Sequence, residues 1–145
     1  MKTNPTDDIE EIRLLKPKYG DVIDRIVRDR QPGDEDLLEA LFTDDAILHF
    51  ESALGRHEGL DAIVRFFVED LPAATRWMWH SFHSPLITVD GDTAEGRWTL
   101  YALAVGNADP TAPPRATYGR YIDRYVRTAD GWKIQHQYFL DETRS

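Results

Sequence analysis

Two histidines stand in Trp77-Met78-Trp79-His80-Ser81-Phe82-His83, among three aromatic residues. An imidazole titrates near neutrality, so one histidine can both take and return a proton in a catalytic cycle. The aromatic setting should exclude water from such a group. In an extended strand, positions 80 and 83 point to opposite faces, so at most one of the two faces a pocket. Paired histidines also suggest zinc, but no third ligand stands nearby and thiolates are absent, so no metal is expected. His49 shares a short apolar run with Phe50, His57 sits in a polar loop and His136 near the C-terminus; these read as structural or solvated.

The first helical segment adds a phenol and a carboxylate. Tyr19 lies in the apolar series Ile9, Ile12, Leu15, Tyr19, Val22, Ile23, Ile26 and Val27, spaced by threes and fours as on a helix. It is either a core tyrosine or a hydroxyl aimed into a cavity. Asp24 lies about 140° round the helix from Tyr19, at roughly 100° per residue, on the margin of the buried arc. Pairing with Arg28 at i+4 on the surface accounts for it equally well.

Thr6 or Asp7 can start the helix that carries them, with Asp7 and Glu10 in capping-box spacing. Pro17 predicts a kink or break, and only such an irregularity, or an early helix end, would turn Asp24 inward. Gln31-Pro32-Gly33 ends the segment, and Asp34 caps a short helix turning Leu37, Leu38, Leu41 and Phe42 inward. Thr43-Asp44-Asp45 reads as a turn before a strand over residues 46–50, and a helix over residues 60–71 ends at Pro72. Extended runs then cover residues 77–88, 93–105, 115–128 and 132–140, with Asp-Gly turns at Asp90-Gly91 and Asp130-Gly131. Helices first and a meander afterwards imply an α+β fold, with helices on one face of a twisted antiparallel sheet. Tyr121, Asp123, Tyr125 and Arg127 share one face of their strand, and Arg120, Ile122, Arg124 and Val126 the other. Alternation does not say which face lines a pocket.

A chain of 145 residues fits one domain, here residues 1–145. The absence of cysteine excludes disulfides, thiolate metal sites and a cysteine nucleophile, and is compatible with the cytosol. The net charge of −9, with scattered basic residues, argues against a nucleic-acid partner. No apolar run follows Lys2, so no signal peptide is expected, and no stretch approaches a membrane span.

Leu37-Leu38-Glu39-Ala40-Leu41-Phe42-Thr43-Asp44-Asp45-Ala46-Ile47-Leu48, then Gly55-Arg56 with Gly59-Leu60-Asp61-Ala62-Ile63, resemble the helix–strand junction and helix start of SnoaL-like proteins. Val89 to Ala94 and Tyr125 to Ile134 resemble their hairpins, so the likeness spans nearly the whole chain. The resemblance is to the nuclear transport factor 2-like superfamily, nearest its scytalone dehydratase and bile-acid dehydratase branch. It implies a cystatin-like α+β roll with a cone-shaped pocket between the first helix and a curved sheet. It also implies catalysis without a cofactor, by a dehydratase, isomerase or polyketide cyclase acting on a small hydrophobic carbonyl compound such as a polyketide or steroid.

By the same resemblance, Tyr19 would be the carbonyl donor, Asp24 the orienter and His80 the general acid–base. Phe50, His83, Trp98 and Tyr121 are candidate substrate contacts, and the pocket is expected to be lined by Tyr19, Phe50, His80 and Trp98. A second histidine of scytalone dehydratase falls near Ala104, and one of its tyrosines near Phe50. A homo-oligomer is expected, because a curved sheet with aromatic and charged residues on both faces needs its convex side covered. The superfamily also contains binding modules and non-catalytic subunits of redox enzymes, so fold alone does not settle function.

Overall fold

The structure is a computed structural model that describes residues 4–143. Met1 to Thr3, the first residues of the leader reading, and the last two residues of the chain lie outside the described residues. Helix α1 runs from Pro5 to Asp29. Its N-cap is Asn4, which accepts from the Thr6 N–H at 3.0 Å, rather than Thr6 or Asp7. The helix starts earlier than the expected caps because Pro5 occupies its first turn, where a missing N–H leaves nothing unpaired. The helix also runs on through Pro17 instead of breaking there. Pro17 faces solvent, while Ile12, Leu15, Tyr19 and Ile23 on either side of it are buried, and that packing outweighs the lost hydrogen bond.

Helix α2, Asp34–Glu39, begins at Gly33, whose φ of 88° suits glycine. Strand β1, Phe42–Phe50, includes the expected turn at residues 43–45 as an irregularity in its pairing. A short strand β2, Arg56–Glu58, pairs with it. The third predicted helix consists of α3, Leu60–Arg65, a π-helical stretch Phe66–Asp70, and α4, Leu71–Ala74. The π-helical stretch puts Phe66 and Phe67 into the core side by side, with ring centroids 5.0 Å apart.

Four long strands follow: β3, Thr75–Asp90; β4, Thr93–Gly106; β5, Arg115–Thr128; and β6, Gly131–Asp141. The sheet order is β2-β1-β6-β5-β4-β3. Strands β3 to β6 form the expected antiparallel meander, and β1 joins β6 in parallel. Helix α1 packs on β3 and β6, closing the concave side of the curved sheet. The face carrying Tyr121, Asp123 and Tyr125 is the inner one, since all three are buried; Arg120 and Arg124 are exposed on the other. Among the described residues no helix is long and apolar enough to cross a membrane.

Candidate active site

Asp24 meets His80. The Asp24 carboxylate accepts from the His80 ring Nδ1 at 2.6 Å and from the His80 backbone N–H at 3.0 Å. Both side chains are at least nine-tenths buried. Arg28 does not compete for the carboxylate, because its Nε donates to the Asp24 backbone carbonyl instead. With Nδ1–H committed to a carboxylate, the neutral ring carries its lone pair on Nε2, on its opposite edge.

The carboxylate arrives without a break or an early end in the helix. Gly20 is one turn before Asp24, and a β-carbon placed there would lie 2.8 Å from Phe82 Cε2 and 3.3 Å from His80 Cβ. Bare backbone at position 20 therefore lets α1 settle onto β3, widening its buried arc to include Asp24. The sequence signal for this was the series Lys16, Gly20, Asp24 at spacing four, with a glycine in the middle.

An apolar cavity of about 90 Å³ lies between α1, the inner face of the sheet and the helical segment around Phe66. Tyr19, Phe50, His80 and Tyr121 line it, with Phe67 and Leu100 among the other walls. Ala104 is also a wall and offers no proton. The Tyr19 and His80 rings meet edge to face with centroids 6.4 Å apart. Burial raises the Tyr19 hydroxyl far above its ordinary range, and the Asp123 and Asp24 charges add to that, so Tyr19 is a donor at any working pH. Burial does the same to Tyr121.

Two expected contacts stand elsewhere. Trp98 is on the inner face but outside the cavity wall, its Nε1 donating to Tyr125 Oη at 3.1 Å. An indole that far inside must satisfy its N–H, and the neighbouring strand supplies the acceptor. His83 is exposed on the outer face, as alternation from His80 requires, and lines no part of the cavity. His49 is on the outer face against Tyr138, and His57 stacks on Phe66 with centroids 4.2 Å apart. No group of three or more histidine or carboxylate side chains that could hold a metal occurs among the described residues.

Sequence reading also missed a buried polar cluster beside the cavity. Lys16, Asp123 and Gln137 are fully buried, with Lys16 Nζ donating to Asp123 at 2.8 Å and to Gln137 Oε1 at 3.0 Å. A carboxylate between two tyrosines on an inward face was its available signal, because a buried charge needs a partner.

Comparison with known proteins agrees with this architecture. Among solved structures, the chain is similar to a nuclear transport factor 2-like superfamily protein from Salmonella enterica serovar Typhimurium. The two share 18% identity at a TM-score of 0.82, over 98% of this chain and 96% of that one. It is similar to a candidate scytalone dehydratase from Novosphingobium aromaticivorans, with 20% identity, a TM-score of 0.79 and coverage of 95% and 86%. It also resembles a hexachlorocyclohexane dehydrochlorinase, LinA type 2, with 18% identity, a TM-score of 0.73 and coverage of 93% and 88%. At these identities the likeness is one of fold. No curated protein matches the chain. The SnoaL-like domain model matches residues 4–137, nearly the whole length, and the chain belongs to that family.

Proposed function

We infer that the protein is a cofactor-independent lyase or isomerase, which eliminates a β-substituent from a small hydrophobic carbonyl compound. The observation that carries this reading is the Asp24–His80 contact at the wall of an apolar cavity. In the forward direction, His80 Nε2 takes the proton α to the carbonyl. The C–H electrons form an enolate, whose oxygen accepts a hydrogen bond from the Tyr19 hydroxyl. The enolate collapses to a carbon–carbon double bond and expels the β-hydroxyl, which leaves as water with the proton returned by His80. Asp24 keeps Nδ1 protonated throughout and offsets the charge the ring gains between the two transfers.

The same base with a halide leaving group would need no proton return. The candidate scytalone dehydratase and the dehydrochlorinase, by their names, sit on either side of that choice, and their shared fold with this chain lends support to elimination chemistry. Cavity size narrows the substrate. At about 90 Å³ the space is smaller than the roughly 150 Å³ that holds benzene in an engineered protein core. A single ring or short chain therefore suits it better than a steroid. Leu54 lines the cavity and is 44% exposed, so its displacement is the simplest way to widen the mouth.

The test is a panel of small β-hydroxy and β-halo ketones, followed by the absorbance of the enone product. His80→Ala should lower the rate about 10²–10⁴-fold, the usual worth of a general acid–base group, without altering the fold. Turnover that survives this change would refute the assignment. Ligands that bind without reacting, in wild type and variant alike, would identify a binding module instead.

A further inference from the structure

Lys16 is wholly buried yet takes no part in the elimination as written. Its Nζ donates to Asp123 Oδ2 at 2.8 Å, Asp123 Oδ1 at 3.1 Å and Gln137 Oε1 at 3.0 Å. Asp123 is further satisfied by the Tyr125 hydroxyl at 2.8 Å. A buried ion pair seldom stabilises a fold more than apolar residues of equal volume would, so stability is a weak reason for this one. Its position supplies a better reason. The ammonium lies 3.6 Å from the centroid of the Tyr121 ring and 5.0 Å from that of Tyr19, the two phenols of the cavity wall.

The ammonium has two consequences for those phenols. First, it sets the Gln137 amide: Oε1 must face a cation, so Nε2 points away from it. That nitrogen is buried with no hydrogen-bond partner among the described residues, and the Tyr19 phenol is its polar neighbour. A donor aimed at the Tyr19 oxygen leaves the Tyr19 proton to be directed into the cavity. Second, the ammonium's charge offsets that of Asp123, which by itself opposes negative charge at both phenols.

We propose that Lys16 is a positioning residue that makes Tyr19 a donor site for an oxyanion, through its charge and its hold on Gln137. Tyr121 supports that site from behind, its hydroxyl donating to the Tyr19 oxygen. The proposal deepens the elimination reading and rests on it, but its test does not require turnover.

The probe is 4-nitrophenol, a single ring whose phenolate is read by its visible absorbance. Bound to the wild type, it should ionise at a pH at least one unit lower than when bound to Lys16→Met. That variant removes the ammonium at nearly constant volume and leaves Asp123 in place. One unit is the lower end of what an opposite charge at such range produces. Gln137→Leu keeps the ion pair and should lose a smaller part of the shift, so the idea stays testable if the Lys16 variant fails to fold. Equal ionisation in wild type and variants would overturn the proposal, as would failure of the wild type to bind the phenolate. Loss of ketone turnover with the probe shift intact would refute the elimination reading alone.

Discussion

Replacing Asp24 by asparagine isolates the role of the carboxylate, because the shape is kept and one oxygen becomes an N–H donor. Asp24 accepts from the backbone N–H and the ring Nδ1 of the same residue, at 3.0 and 2.6 Å. The backbone N–H has no alternative protonation state, so the asparagine carbonyl must face it and the amide nitrogen must face Nδ1. The ring can meet a donor only by moving its own proton to Nε2. A histidine with Nε2–H toward the cavity is no longer a base there. The rate loss expected is about 10²–10⁴-fold, reaching the upper figure where a wrong tautomer abolishes base function. Exchanging charge-assisted for neutral hydrogen bonds costs about 1–2 kcal/mol of stability, a melting shift of a few degrees for a domain of this size. Nitrogen-15 NMR of the imidazole ring reads the tautomer without any substrate. Wild-type His80 should show Nδ1–H and Asp24→Asn should show Nε2–H. An unchanged Nδ1–H signature in the variant would refute the reasoning.

Gly20→Ala should destabilise the fold by about 1–3 kcal/mol despite the better helix propensity of alanine, because the new methyl group meets Phe82 and His80; a raised melting temperature would contradict it. Burial pulls Lys16 down from 10.5 to about 8, opposed by Asp123, so above pH 8 the folded state releases a proton that the unfolded chain still holds. Stability should therefore rise between pH 8 and 10.0, before the buried tyrosines, whose values are raised, act in the opposite sense. The gain should be as much as about 2 kcal/mol by linkage, and denaturant titrations of Lys16→Met/Asp123→Asn should show no such rise. We also expect a homodimer through the outer sheet face. Trp79, Leu86, Tyr101 and Tyr118 are each more than 40% exposed, and Tyr101 pairs directly with Tyr118. Light scattering should report twice the monomer mass, and Tyr101→Glu should halve it.

Periodicity alone was enough for the order of elements, because helical and strand spacing follow from which side chains must leave water. The inner face of α1 around Tyr19, the hairpins at Asp90-Gly91 and Asp130-Gly131, and the opposite facing of His80 and His83 were all legible in that way. Resemblance, not periodicity, pointed to Asp24 as the partner of His80. What no local pattern contained was how closely α1 approaches β3. Gly20 decides that, and its effect depends on Phe82 and His80, some sixty residues further along the chain. The same is true of Trp98, which the resemblance made a wall of the pocket and which instead bonds to Tyr125. Lys16 lies in the sequence without any local sign of burial, and is a buried ion only because Asp123 and Gln137 arrive on other strands to hold it. A charge inside a protein is settled by its partners, and partners distant in sequence meet only when the tertiary fold brings their strands together.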